Sequence, residues 1–208
     1  MTDAEHRHTH WQDVWTSKAF DKVSWFQDDP RQSLALIAGL SLRRAAGIID
    51  VGGGRSPLAA RLVEQGFANV AVLDIAEAAL AQAHQELGAL GDDITWICAD
   101  VTRWRPVPGL FQLWHDRAVL HFLTDAADQQ AYVAALKTAL APDGHAVIAT
   151  FAPDGPSQCS GLPVQRHDGA SLAALLGADF VLEREVAETH RTPGGAEQRF
   201  RWCLFRRA

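Results

Sequence analysis

The stretch IIDVGGGRSP at positions 48–57 constrains the fold of this chain more than any other feature. A short apolar run enters three successive glycines, and an amphipathic segment follows at once. Glycines lack a Cβ atom, so a ligand can approach the backbone, and they tolerate a positive φ. Ser56 suits a helix N-cap and Pro57 suits the first helical position. The stretch therefore predicts a buried strand, a turn, and a helix whose free N–H groups face a ligand.

Apolar runs and helical segments alternate along most of the chain, which is typical of a parallel sheet with helices on both faces. The runs predicted as strands are 48–51, 70–74, 94–100, 110–115 and 145–151. The segments predicted as helices are 32–46, 58–65, 75–87 and 126–140.

The last part of the chain departs from this alternation. Asp168 is predicted to cap a short helix at 169–176. The runs 180–188 and 198–205 flank a Thr-Pro-Gly-Gly turn at 192–195, which is typical of an antiparallel hairpin. We therefore expect an α/β fold of the Rossmann-like, doubly wound type, with a mostly parallel seven-stranded sheet and a C-terminal antiparallel hairpin.

Length and charge narrow the class of protein. The 208 residues suit a single domain, with an N-terminal tail and aromatic lid at 1–30 and a core at 31–208. A net charge of −6 argues against a general nucleic-acid binder. No apolar run approaches the ~20 residues that span a bilayer, so we expect no membrane partner. Residues 1–10 lack the apolar centre of a signal peptide.

The cysteines give an expectation about compartment. Cys98, Cys159 and Cys203 are far apart and form no Cys-x-x-Cys pair. This usage suits the reducing cytoplasm and argues against a structural zinc site.

Two features precede the predicted core. His6, His8 and His10 follow an alternating pattern that suits metal binding in an extended segment, but no neighbouring residue completes a site. We therefore expect a loose polar tail over the first ten residues and no metal. Trp11 and Trp15 lie four residues apart, on one helical face, and form either a lid over a ligand or a helix packed on the sheet.

The glycine turn excludes two common nucleotide motifs. A dinucleotide-binding turn needs a third glycine where Pro57 stands, and there is no Gly-Lys-Ser/Thr of the Walker type. An Asp-x-Gly-x-Gly pattern remains, beginning at Asp50. A second acid, Asp74, ends the next predicted strand, and a third, Asp100, ends the one after it. Each acid alone suits a cap or turn, but the carboxyl ends of strands are where open α/β sheets bind ligands.

The glycine turn, the three acids and the terminal hairpin together resemble the class I S-adenosylmethionine-dependent methyltransferases, from about Gln32 to the C-terminus. The resemblance implies S-adenosylmethionine as cofactor and assigns each contact to a residue. Asp74 would bind the ribose diol and Ile75 would pack on the adenine. Asp100 would accept from the adenine amino group, with Val101 beside it. The methionine end would lie on Asp50 and on the backbone of Gly52, Gly53 and Gly54.

The methyl acceptor is expected beyond the fourth and fifth strands. Asp116 and His121 are the candidate bases there, and Arg117 is a candidate clamp for an anionic substrate. The alternatives are an Asp116–Arg117 ion pair that shapes the loop and a histidine that is simply packed in the core. Cys159 lies in a Pro/Gly-rich loop. It either touches the substrate, a thiophilic metal or a metalloid, or is an ordinary loop residue.

Further resemblances bear on the substrate. The N-terminal tryptophans, Trp25 among them, and the Asp116–Arg117 pair resemble thiopurine, thiol and halide methyltransferases, whose tryptophans lie over cofactor and acceptor. Residues 66–75 resemble protein-lysine methyltransferases instead. The preferred interpretation is methyl transfer to a small-molecule nucleophile, with a thiol-like acceptor slightly favoured. The alternatives are a protein-lysine N-methyltransferase, a non-catalytic nucleotide-binding protein and an NAD-dependent oxidoreductase.

Overall fold

The computed structural model describes residues 3–208, which form an α/β fold. The helices are α1 (Asp3–Ser17), α2 (Arg31–Ala38), α3 (Leu58–Glu64), α4 (Glu77–Leu87), α5 (Ala126–Ala139) and α6 (Gly169–Leu176). The strands are β1 (Gly47–Val51), β2 (Asn69–Asp74), β3 (Ile94–Cys98), β4 (Phe111–Arg117), β5 (Leu140–Phe151), β6 (Gln158–Cys159), β7 (Leu162–Pro163), β8 (Phe180–Arg191) and β9 (Glu197–Arg207). Within residues 3–208, no helix combines the length and the apolar character that crossing a bilayer requires.

Seven strands form one sheet in the order β3-β2-β1-β4-β5-β9-β8. The first five are parallel, and β9 runs antiparallel to both β5 and β8. The predicted sheet and terminal hairpin are therefore confirmed. From β1 the chain first builds outward through β2 and β3, and then returns to place β4 on the other side of β1. The carboxyl ends of β1 and β4 thus flank the topological switch point, where open sheets bind ligands.

Both faces of the sheet are covered, which explains the continuous burial of β1. Ile49 contributes to a core that includes Tyr132 and Leu136 of α5. Its neighbour Ile48 faces the other way, into a core with Leu36 of α2 and Leu58 of α3. Successive strand residues point to opposite faces, so a run without polar alternation is what a doubly covered strand requires.

The three largest differences from the sequence prediction concern α1, α2 and β5. Residues 3–17 form α1 rather than a loose tail, because the Trp15 side chain is buried against Ala76 and Ala79 at the start of α4. The helix predicted over 32–46 ends at Ala38, because Gly39 follows it and Ser41 takes a positive φ of 50°.

The third difference concerns the β5 side of the sheet. Leu140 already pairs with Phe111 directly after α5, and the ladder resumes where Leu113 pairs with His145. The intervening Pro-Asp-Gly segment forms a bulge, with Asp143 at φ 58. The strand is therefore five residues longer than the apolar run at 145–151 predicts, because the bulge interrupts the ladder without ending it.

Candidate functional site

The glycine turn follows β1 at the switch point, and close contacts explain its glycines. Gly52 has a φ of +66°, and a Cβ there would lie 2.0 Å from a Val119 methyl group. A Cβ on Gly53 would lie 2.7 Å from the Asp50 carboxylate oxygen Oδ2. Gly54 also has a positive φ, +46°. Any side chain at the first two positions would collide with neighbouring atoms, so the backbone itself forms this part of the site.

Asp74 is the last residue of β2 and its carboxylate is buried. Burial raises the pKa of Asp74 to about 7, against the opposing effect of a hydrogen bond from the Ala76 N–H, 2.8 Å from Oδ1. Asp74 and the adjacent Ile75 both line a cavity at this edge of the sheet. Asp74 is therefore a carboxyl group that titrates near neutral pH at the edge of a cavity.

Asp100 lies two residues beyond the end of β3, not within the strand as predicted. Its Oδ1 accepts from the backbone N–H and the hydroxyl of Thr102, at 2.9 and 2.8 Å. Its Oδ2 accepts from the Arg7 guanidinium at 3.0 Å. Partial burial would raise the pKa of Asp100, but these hydrogen bonds and the charge of Arg7 lower it. Asp100 is thus ionised and held in place by two elements.

A large cavity lies between these acids and the end of β4. It contains about 780 Å³ of space between protein atoms when the solvent at its open mouth is counted. Acids and backbone of the strand ends form one side, and aromatic side chains of the N-terminal region form the other. The lining includes Trp11, Trp15, Trp25, Gly52, Asp74, Ile75, Asp100, Val101, Arg117, Phe122 and Cys159.

The aromatic side of the cavity is a connected cluster. Trp11 of α1 contacts Trp25 edge to face, with 5.7 Å between ring centroids, and contacts Phe122 at 4.8 Å. Trp15 lies 5.9 Å from Trp25 in the same arrangement. α1 therefore packs on the core through Trp15, and its Trp11 lines the large cavity. A lid over a ligand stays a prediction.

A smaller cavity adjoins the large one on the far side of the glycine turn. Ser33, Asp50, Gly53 and His115 line it, together with side chains of the N-terminal aromatic cluster. Asp50 is buried; its Oδ1 is bonded to His115, and its Oδ2 has no hydrogen-bond partner within the described chain. An unpaired carboxylate oxygen therefore faces the glycine turn.

Arg117 lines both cavities and is partly exposed, but its Nε and Nη2 atoms are buried. Its Nη1 donates to the Trp25 carbonyl at 3.0 Å, and the guanidinium lies 4.9 Å from the Phe200 ring centroid. Nε and Nη2 have no partner among residues 3–208. Burial lowers the pKa of Arg117 to about 10, which leaves it charged at neutral pH. A cation with two buried, free donors calls for an anionic ligand.

Asp116 lies away from both cavities. Its carboxylate accepts from the backbone N–H groups of Val119 and Leu120, at 2.8 and 3.0 Å, and from the Tyr132 hydroxyl at 2.7 Å. Burial raises the pKa of Asp116 to about 6. This placement favours the alternative of a loop-shaping residue, but the partners are Tyr132 and the backbone, not Arg117. The expectation of a base facing the acceptor does not match this geometry.

His121 is also fully buried and lines neither cavity. Its ring packs between Phe122 and Phe151, with centroids 4.4 and 4.8 Å away. Burial, with the nearby charge of Arg117, lowers the pKa of His121 to about 3. The histidine is therefore neutral and packed in the core, which favours the alternative interpretation.

Cys159, at the end of β6, faces the large cavity. Its Sγ lies 4.0 Å from the Ser24 hydroxyl, and burial raises the pKa of the thiol. Cys98 and Cys203, like Cys159, are free thiols. In the part of the chain from residue 3 onward, no three His, Cys, Asp or Glu side chains assemble a metal site.

Sequence reasoning missed three residues of these cavities: Arg7, Ser33 and His115. Arg7 lies in the segment predicted to be loose, and nothing in its neighbours marks it. Ser33 and His115 are 82 residues apart and meet only through the fold. One signal was present for His115, because a polar residue in a strand that is predicted to be buried needs a partner.

The comparisons with known proteins agree with this geometry. Residues 48–144 match a family model described as a methyltransferase domain. No curated protein is a detectable sequence relative. Three solved structures share the fold at low identity, and each similarity shows the fold alone.

The first comes from work on the conversion of a disulfide bond into a thioacetal group during echinomycin biosynthesis. It is 19% identical with a TM-score of 0.78, covering 97% of this chain and 92% of that one. The second is a 1,6-didemethyltoxoflavin-N1-methyltransferase of Burkholderia thailandensis with bound 1,6-didemethyltoxoflavin and S-adenosylhomocysteine. It is 24% identical with a TM-score of 0.70, covering 99% and 86%.

The third is the N-methyltransferase NodS of Bradyrhizobium japonicum in complex with S-adenosylhomocysteine, 18% identical with a TM-score of 0.71, covering 95% and 98%. The matched domain includes the glycine turn and both strand-end acids, and the sheet order and terminal hairpin lie within the shared fold. The chain therefore has the fold of S-adenosylmethionine-dependent methyltransferases, and its residues 48–144 match the model of a methyltransferase domain.

Proposed function

We propose that this protein transfers the methyl group of S-adenosylmethionine to a small-molecule nucleophile, with a thiol-like acceptor preferred. One observation carries the proposal: two cavities meet at Gly52 and Arg117, with acids at one end and an aromatic wall at the other. The strand-end acids suit the adenosyl group, the smaller cavity suits the methionine end, and the aromatic wall suits the acceptor.

The adenosyl group is proposed to lie along the ends of β2 and β3. Ionised Asp74 accepts two hydrogen bonds from a ribose diol, which carboxylate geometry allows. Ile75 and Val101 supply the apolar contacts for the adenine, and Asp100 accepts from its amino group. In the ligand-free arrangement Arg7 and Thr102 already donate to Asp100, so an adenine amino group would share this carboxylate.

The methionine end is proposed to lie in the smaller cavity. Asp50 offers a free buried carboxylate oxygen, and Arg117 offers two free buried N–H groups. Opposite charges in one cavity complement the ammonium and carboxylate of an α-amino acid. The Arg117 guanidinium is therefore proposed as a cofactor ligand rather than the clamp for an anionic substrate that the sequence suggested.

The acceptor is proposed to bind against Trp11, Trp25 and Phe122. Among the described residues that line the large cavity there is no histidine, and its carboxylates, Asp74 and Asp100, lie at the adenosyl end. The candidate bases Asp116 and His121 are buried elsewhere. An amine or hydroxyl acceptor needs a base to remove its proton, whereas a thiolate does not. Alignment and exclusion of water are then the main tasks of the chain.

The similar structures bear on this choice in two directions. Two are described as N-methyltransferases, and one concerns the conversion of a disulfide bond into a thioacetal, which is chemistry at sulfur. We propose a cytoplasmic location, because a thiolate substrate and three free cysteines suit a reducing compartment.

Calorimetry with S-adenosylhomocysteine and with NAD tests the cofactor. We expect binding of the first alone, and binding of NAD alone would overturn the proposal in favour of an oxidoreductase. A non-catalytic binding protein would bind S-adenosylhomocysteine and transfer no label to any acceptor.

Labelled cofactor then tests the acceptor against matched aromatic thiols, amines and phenols, and against protein from a cell lysate. We expect label in the thiols first. Label confined to protein lysines would favour the protein-lysine alternative and contradict the small-molecule proposal.

A further inference from the structure

Three buried polar side chains form a continuous chain of hydrogen bonds behind the glycine turn. His115 Nδ1 donates to Asp50 Oδ1 at 2.7 Å, and His115 Nε2 lies 3.0 Å from the Ser33 hydroxyl. Ser33, Asp50 and His115 are each 2% exposed. Buried polar groups are costly unless they are paired, so this arrangement needs an explanation.

Among the side-chain polar atoms of these three residues, one has no hydrogen-bond partner within residues 3–208. A carboxylate only accepts, so His115 Nδ1 donates to Asp50, and Nε2 is left to pair with the Ser33 hydroxyl. Both ring nitrogens and the hydroxyl therefore have partners. The remaining oxygen, Asp50 Oδ2, has no partner within residues 3–208.

The sheet itself sets this geometry. Asp50 of β1 is directly paired with His115 of β4, and these two strands flank the switch point. The His115 ring is backed by Trp202 of β9, with 6.0 Å between centroids. Ser33 closes the chain from the first turn of α2. The Asp50 carboxylate is thus held from one side by three elements, and its rotation about the side-chain bonds is restricted.

The open oxygen faces the glycine turn. A Cβ at Gly53 would lie 2.7 Å from Asp50 Oδ2, so a glycine is needed beside that oxygen. Asp50, Ser33, His115 and Gly53 all line the smaller cavity. A buried carboxylate oxygen without a partner favours a cationic donor over a neutral one.

We propose that His115 and Ser33 are positioning residues, which fix Asp50 so that its free oxygen binds the ammonium group of the cofactor's methionine end. This inference rests on the proposed function. It adds two residues to the site, His115 and Ser33, and both act on the α-amino group through Asp50.

The test compares two ligands that share the adenosyl group. S-adenosylhomocysteine carries the amino-acid end, whereas 5′-methylthioadenosine lacks it. We expect His115→Leu to weaken binding of S-adenosylhomocysteine by on the order of 10- to 100-fold, because a buried charged hydrogen bond is lost. Binding of 5′-methylthioadenosine should change less than twofold. Calorimetry at one pH measures both.

Two milder variants keep the test decisive if His115→Leu fails to fold. His115→Asn retains an N–H donor for Asp50 and should recover most of the affinity for S-adenosylhomocysteine. Ser33→Ala removes only the outer link and should cost roughly 3- to 10-fold for that ligand alone. Thermal melting identifies which variants are folded at the assay temperature.

The outcomes separate the two proposals. If the unmodified protein binds neither ligand, the proposed function fails. If it binds both, and the folded variants weaken both by the same factor or weaken neither, the positioning role of His115 and Ser33 is wrong. A loss confined to S-adenosylhomocysteine, with recovery in His115→Asn, supports the inference.

Discussion

The Arg7 guanidinium of α1 donates to the Asp100 carboxylate beyond β3, with 3.0 Å between Nη2 and Oδ2. The same guanidinium forms an ion pair with Asp128 at the start of α5. Trp11, one turn further along α1, contacts the aromatic wall of the large cavity. The polar contacts of Arg7 and the aromatic contacts of Trp11 thus hold α1 beside the large cavity.

Removing the Arg7 side chain should loosen α1. In Arg7→Ala we expect amide hydrogen exchange over residues 3–17 to become roughly 3- to 10-fold faster, because a partly buried charged hydrogen bond is lost. Mass spectrometry of the ligand-free protein measures this. Arg61→Ala, which removes an exposed ion pair with Glu64, is the matched control and should leave α1 unchanged. Equal exchange in both variants would contradict the role of Arg7.

Cofactor binding should depend on the protonation of Asp74. Burial raises its pKa to about 7, and the ionised form accepts hydrogen bonds from a diol better than the protonated form. We therefore expect the affinity for S-adenosylhomocysteine to rise as the pH increases from 6 to 8, with proton release on binding at the lower pH. Calorimetry in buffers of different ionisation enthalpy measures both. Asp74→Asn should bind S-adenosylhomocysteine weakly and lose this pH dependence. An affinity of the unmodified protein that stays constant between pH 6 and 8 would contradict the prediction.

The same raised pKa has the opposite effect on the stability of the ligand-free chain. The folded state holds the Asp74 proton more tightly than the unfolded state, whose carboxyl has a pKa of 3.8. The contribution of Asp74 to the free energy of unfolding therefore falls as the pH rises from about 4 to about 7, and it is constant above about pH 7. Asp74→Asn should be more stable than the unmodified chain at pH 8 by melting temperature, and a lower value would contradict the shift.

Asp116→Ala should reduce stability without a matching loss of turnover. The carboxylate satisfies two backbone N–H groups and the Tyr132 hydroxyl, so its removal leaves buried donors unpaired and costs about 3 kcal/mol. Urea unfolding measures the loss. Tyr132→Phe removes one of the three bonds and should cost about 1 kcal/mol. If the folded Asp116→Ala protein had normal stability and no turnover, Asp116 would act in the reaction after all.

Much of the fold follows from local sequence. The strands and the capped helix α6 are set by apolar runs and by Asp168, whose carboxylate accepts from the Ser171 N–H at 2.8 Å. Local pattern fails where tertiary contacts decide. Residues 3–17 have no strong apolar face, and they form a helix because Trp15 and Arg7 find partners more than sixty residues away.

The candidate site can also be predicted from the sequence only in part. Asp50, Asp74 and Asp100 end strands or follow them closely, so their neighbourhood is visible in the sequence. The environment of Asp116 is not, because Tyr132 and the 119–120 backbone that saturate it come from later elements. Proximity in sequence to Arg117 suggested an ion pair, but adjacent strand residues point to opposite faces and the two side chains diverge.

The position of β9 between β5 and β8 has a consequence for synthesis on the ribosome. The open edge of β5 stays unpaired until residues 197–207 have left the exit tunnel, and β8 has no other neighbour in the sheet. Unpaired strand edges promote association between nascent chains. Slow translation over the last two strands would therefore prolong the aggregation-prone stage, and a shortened β9 would leave β5 exposed permanently.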